Sequence, residues 1–230
     1  MKRLLLLLLA GVVAVQMGCG GGAGGGAKSL KALPQIKKVA VVSLSVSDWG
    51  GSVKTNAAGG NVAKTIQTAV NSMLTDTEAR LAKDYRVVKA SSFINSSGYT
   101  KHFVDNNFVM NVPQVKGKNL GVFTADGRAL RRGDLAPEKA QALCKALGVD
   151  GIFVIFSEWT VRTGGFVPLT KAVSKNIVSL WDAQGKKVFT RRVDKMGSRT
   201  IGGMGIKAVT ADTVDEWTGT YKQSLDTILK

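Results

Sequence analysis

Apolar side chains dominate the centre of Ile36–Val46, where Val39, Ala40, Val41 and Val42 follow one another without a polar break. Such a run predicts a strand covered on both faces. Glycines at 50, 51, 59 and 60 mark a loop, and the period then changes. Behind Asn61, an N-cap type, Val62, Ile66, Ala69, Val70, Met73, Leu74 and Leu81 recur at helical spacing. A second strand is expected at Tyr85–Phe93. Residues 94–133 show no strong period, with Val104–Val115 and Leu120–Thr124 the best candidates for short strands. Pro137 suits the first turn of a helix that runs to Leu147 and closes at Gly148. Ile152–Phe156 reads as another central strand.

Lys171–Trp181 and Lys186–Met196 predict two strands joined around Asp182-Ala183-Gln184-Gly185, a hairpin turn. In the last helix Val214, Trp217, Tyr221, Leu225 and Ile228 share a stripe, while Asp215, Lys222, Gln223 and Asp226 face away. Thr213 and Glu216 have the spacing of a capping box. Helices with one apolar face must cover a sheet, so the chain is read as a single α/β domain. Its expected architecture is a mixed sheet of about four to six strands with about three helices packed on it. That domain spans 34–230, with an irregular insertion at about 94–133. No internal repeat is visible.

The beginning of the chain follows other rules. Lys2 and Arg3 precede a twelve-residue uncharged stretch from Leu4 to Val15, then Gly18-Cys19. Twelve residues fall short of the roughly 20 that a helix needs to cross a bilayer core. The order of charge, apolar stretch and small residue is that of a secretory signal peptide over residues 1–18. Gly20 to Ala27 then holds only glycine and alanine, so residues 19–33 are read as a tether.

Val15-Gln16-Met17-Gly18-Cys19 resembles the lipobox of bacterial lipoproteins, with Gln16 where an aliphatic residue is usual. The resemblance implies cleavage before Cys19 and acylation of its sulfur, hence anchorage in a bacterial membrane. Gly20 beside the cysteine resembles the outer-membrane sorting pattern of Gram-negative species, which implies an outer-membrane location facing the periplasm. Ordinary cleavage within the Ala/Gly stretch is the alternative and would leave a free protein. The folded part has its own resemblance. The Val39–Val42 strand, the helix ending Leu147-Gly148-Val149-Asp150-Gly151 and the hairpin Leu180–Lys186 follow a recurring layout. It is similar to the small periplasmic α/β domains of the penicillin-binding-protein activator lipoproteins, the curli-secretion lipoprotein and the N-terminal domain of the Tol-Pal β-propeller protein. The layout implies a fold and assigns no functional residue.

Composition narrows the chemistry. The 230 residues are 44% hydrophobic and 21% charged, which excludes a disordered or fibrous chain. One histidine excludes a histidine-pair metal site, and two cysteines exclude a four-cysteine cluster, so neither a metal nor a cofactor is expected. Gly50-Gly51-Ser52-Val53-Lys54-Thr55 lacks the glycines of a phosphate loop. Gly203-Met204-Gly205-Ile206-Lys207-Ala208 has the spacing of a dinucleotide turn but no following strand with an acid to hold a ribose. Cys144 shares a helical stripe with Ala140, Leu143 and Leu147 and reads as a small core residue. Arg132-Gly133-Asp134 reads as a lead-in to a helix.

Net charge is the one anomaly. It stands at +16, and loss of Lys2 and Arg3 with the leader lowers it to +14. Between Glu158 and Lys207, ten bases face only Glu158, Asp182 and Asp194. Lys186, Lys187, Arg191, Arg192, Lys195 and Arg199 are therefore the candidate residues for an anionic surface. Trp49, Trp159 and Phe166, beside glycine-containing loops, are the candidate partner loop. The expected role is a non-catalytic, membrane-tethered accessory or adaptor domain that binds an envelope protein or polymer, with no nucleic acid. A membrane- or glycolipid-binding module using the basic hairpin is the alternative. An envelope hydrolase centred on Glu158 or His102 is the third reading, and no catalytic constellation supports it.

Overall fold

The computed structural model describes residues 29–48, 61–106, 113–166, 169–203 and 212–230. The strands are β1 (Lys38–Asp48), β2 (Arg86–Val88), β3 (Gln114–Val115), β4 (Lys118–Asn119), β5 (Gly151–Gly164), β6 (Leu169–Asp182) and β7 (Lys187–Gly203). The helices are α1 (Asn61–Leu81), α2 (Ala90–Phe93), α3 (Ser97–Thr100), α4 (Gly127–Arg132), α5 (Pro137–Leu147) and α6 (Val214–Ile228).

Five strands form one mixed sheet in the order β2-β1-β5-β6-β7. β1 runs parallel to both neighbours, whereas β6 runs antiparallel to β5 and to β7. The apolar run at Val39–Leu44 belongs in the centre because helices and loops cover both of its faces, and Val39, Ala40, Val41, Val42 and Leu44 are all fully buried. β3 and β4 make a separate two-stranded hairpin. The α/β architecture expected from the sequence is thus the one observed.

Alternation along β6 separates two faces. Ala172, Ser174, Asn176, Val178 and Leu180 are buried on the side covered by α6. The α6 stripe of Val214, Trp217, Tyr221, Leu225 and Ile228 seals that side, as its spacing predicts. Tyr221 and Thr77 share a 2.6 Å hydrogen bond that fixes α6 against α1. On the other face α5 and α4 cover only the Ser179 and Trp181 end, where Trp181 Nε1 donates to the Gly133 carbonyl at 3.0 Å. Lys171, Val173, Lys175 and Ile177, on that same face, are half-buried. The partly open face of a long antiparallel sheet results.

Several local expectations require correction. The strand placed at Tyr85–Phe93 is only three residues long, because the chain turns into α2 at Ala90. Glu78 accepts from the Ala90 N–H at 2.7 Å, so a carboxylate from α1 takes one of the orphan donors of that turn. Within residues 94–133 the described parts hold the short elements α3, β3, β4 and α4. Of the strand expected at Val104–Val115, residues 107–112 lie outside the described residues and only Gln114–Val115 is a strand. The strand expected at Leu120–Thr124 is absent there, although Leu120, Val122 and Phe123 are buried. Thr213 makes no side-chain capping bond; Glu216 instead reaches Arg199, with Nε and Oε1 3.3 Å apart.

Two turns form as their residues dictate. Gly148 ends α5 in the left-handed conformation at φ 58°. In the β6–β7 hairpin Asp182 Oδ1 accepts from the N–H groups of Gln184 and Lys186, at 3.0 and 2.8 Å.

Candidate functional site

Lys186, Lys187, Arg191, Arg192, Lys195 and Arg199 lie on the hairpin and on β7, the edge strand. They do not make one surface. Strand alternation sends Arg191 and Arg192 to opposite faces. Arg191 pairs in register with Val178, on the α6 side, and Arg192 with Ile177, on the open side. Lys195 opposes Ser174, also on the α6 side.

Carboxylates neutralise part of the set. Arg192 makes a two-pronged contact with Asp194, at 2.9 Å for each nitrogen. Arg199 pairs with Asp215 and Glu216 at the start of α6. Lys187 bonds Asp134 and sits 5.8 Å from the centre of the Trp181 ring. Among the described residues Lys186, Arg191 and Lys195 have no carboxylate partner.

The three aromatic candidates also separate. Phe166 stands fully exposed at the β5–β6 tip, next to Leu169, which is also exposed. Trp159 is buried in the core, so it cannot meet a partner without unfolding the sheet. Its position on β5 pairs in register with Asp48 of β1 and Ser174 of β6, under α6. Trp49 lies outside the described residues, as do Cys19 and the glycine tether.

Glu158 faces Lys175 across the β5–β6 ladder, with Nζ and Oε1 3.0 Å apart. His102 is half-buried; burial and the nearby charges of Lys101 and Lys139 lower its pKa. Among the described residues no hydrogen bond or ion pair joins Glu158 to His102. Cys144 is buried, as its stripe predicts, and burial together with Asp182 and Asp150 pushes its thiol pKa up to about 12. Among the described residues no cluster of three metal-ligating side chains occurs. No described helix is long and apolar enough to cross a membrane.

One concentration of charge is not legible in the sequence. A groove of about 450 Å³ lies between α4 and the open face of β5–β7. Arg131 and Arg132 at the end of α4 meet Lys175, Lys187 and Arg192 around it. Register sets Arg192 opposite Ile177, diagonal to Lys175, and Lys187 opposite Trp181 further along the same open face. Nothing in the spacing of Arg131 and Arg132 shows that α4 folds back onto that face; Leu130, packed against Phe156 and Val122, is what seats it.

No protein-family model matches the chain, and no curated protein matches it. Among solved structures, lipoprotein GNA1162 from Neisseria meningitidis is similar at 13% identity and a TM-score of 0.34, over 84% of this chain and 99% of that one. The hypothetical protein CT253 from Chlamydia trachomatis is similar at 11% identity and a TM-score of 0.33, over 84% and 94%. Neither likeness is close enough to transfer a role.

Proposed function

We propose that the protein is a non-catalytic envelope lipoprotein, an adaptor tethered to the membrane through acylated Cys19. The observation that carries this reading is Gly18-Cys19 behind a short apolar stretch and directly ahead of a glycine tether. A single acyl chain binds a membrane reversibly, whereas several make a lasting anchor. Confinement on a short leash raises the local concentration of a modest binder near its target. An outer-membrane location facing the periplasm belongs to the same proposal, through Gly20.

The exposed β5–β6 tip supports a role in binding. Phe166 and Leu169 are large apolar side chains held at the end of two strands and left open to solvent. Exposed aromatic side chains of this kind serve as anchors for protein partners.

Intact-mass measurement of the protein extracted from membranes tests the anchor. The expected product begins at Cys19 and carries acyl mass, and Cys19→Ser leaves the membrane fraction. An uncut leader, or a product without acyl groups, overturns the proposal. A photoreactive side chain placed at Phe166 then identifies the partner in intact cells.

A further inference from the structure

We infer that the groove between α4 and the open face of β5–β7 is a binding site for a phosphate-bearing ligand. The inference is independent of the membrane anchor, because every residue it uses belongs to the folded part.

Charge balance comes first. Arg131, Arg132, Lys175, Lys187 and Arg192 supply five positive charges, and all five line the groove. Three carboxylates oppose them. Glu158 pairs with Lys175, Asp194 with Arg192, and Asp134 serves both Arg132 and Lys187. Arg131 has no carboxylate partner among the described residues. Two positive charges are left over, and a phosphomonoester carries about −1.5 to −2 at neutral pH. A monocarboxylate would neutralise only half of the excess. Arg191 is a sixth base at the rim, although its register sends it to the other side of the strand.

The setting divides the bases. The side chains of Lys175 and Lys187, 30% and 23% exposed, are partly withdrawn from water, whereas those of Arg132 and Arg192 are 66% and 56% exposed and Arg131 is exposed. Charges partly withdrawn from water act on a ligand more strongly than fully solvated ones. Guanidinium groups present forked donors that match phosphate oxygens two at a time. Buried Phe156 and half-buried Ile177 form an apolar floor, so the phosphate group meets the basic rim while an apolar body lies beneath it. The volume, about 450 Å³, suits a small ligand or a head group.

Calorimetric titration of the full purified chain in neutral detergent tests the site. The probes are pyrophosphate for a free phosphate ligand and dihexanoyl phosphatidic acid for a lipid head group, with dihexanoyl phosphatidylcholine as the uncharged-net control. Arg131→Gln combined with Arg192→Gln is expected to weaken saturable binding about tenfold or more. Lys118→Gln with Lys145→Gln removes the same charge from exposed positions outside the groove and is expected to leave affinity unchanged. Arg131→Gln alone breaks no ion pair and serves if the double variant loses its fold. Binding of pyrophosphate assigns the site to a soluble phosphate; binding of phosphatidic acid alone assigns it to a lipid-borne one. Absence of saturable binding by both, or equal weakening in the control pair, overturns the inference.

Discussion

The hydroxyl of Tyr99 donates to the carbonyl of Val42 at 2.7 Å and accepts from the N–H of Gly121 at the same distance. The register between β1 and β5 shifts between Val41 and Ser43, so this stretch of the central strand departs from regular pairing. A fully buried side chain from α3 supplies the partner, and the segment after β4 is held by the same oxygen. Tyr99→Phe removes both bonds and keeps the ring. The expected loss is about 1–3 kcal/mol, for backbone groups left unpaired in the core. Denaturant titration checks it; a midpoint equal to that of the parent chain would show that the hydroxyl holds nothing.

That contact also explains what the sequence conceals. The long elements are readable because their own periods reveal them, as in Val39–Leu44 and the Trp217–Tyr221–Leu225 stripe. The described parts of residues 94–133 are held by Tyr99, which meets Phe93, Phe103 and Phe123 edge-on, and by buried Leu120. Those aromatic rings are scattered along the chain without a period, and only the folded backbone gathers them. Arg131 and Arg132 escape a reading by pattern for the same reason. Conversely, Trp159 reads as a loop residue because the strand after Phe156 continues well beyond its apolar run.

The β6–β7 turn is set by a position that tolerates little besides glycine. Gly185 has φ 76°, and a Cβ there would stand 2.5 Å from the Pro137 carbonyl oxygen at the start of α5. Gly185→Ala therefore meets both backbone strain and a collision with another element. A cost of about 1–3 kcal/mol is expected from strain alone, read as a lowered thermal midpoint. Gly117 also has a positive φ, at 76°, but a Cβ there would meet no other atom within 4 Å. Gly117→Ala should consequently cost less than Gly185→Ala, and the reverse order would contradict the packing argument.

Core and tip aromatics should behave oppositely on truncation. Trp217 is stacked on Trp159, with ring centres 5.9 Å apart and planes 20° from parallel, and both are buried. Trp217→Ala is expected to cost about 3–5 kcal/mol. Phe166→Ala, at the exposed tip, should change stability by less than about 0.5 kcal/mol. Paired denaturation curves decide the matter, since destabilisation by Phe166→Ala on the scale of Trp217→Ala would place that ring in the core.

Cys144 should resist alkylation in the folded protein. It is buried in α5, and its thiol pKa, pushed up to about 12, leaves little thiolate at neutral pH. Iodoacetamide is expected to modify Cys144 only after denaturant is added, which peptide mass spectrometry reads directly. Rapid labelling under native conditions would mean that α5 opens readily.

Acid should weaken the junction between α5 and β1 through one carboxylate. Asp150 Oδ2 accepts from the N–H groups of Lys37 and Lys38 at 2.9 and 2.8 Å. These two bonds hold its pKa below the ordinary carboxylate value, with the nearby lysine charges adding a smaller effect. In the unfolded chain the group titrates at about 3.9. Its contribution is therefore fully present above that pH and disappears as the pH falls through the lower folded value. Asp150→Asn removes the charge that makes those bonds strong. The variant should be less stable than the parent chain at neutral pH, and the gap should close on acidification below about pH 4. Urea titrations of both proteins across that range measure the gap, and one that stays constant with pH would show that the two backbone bonds do not depend on the carboxylate's charge.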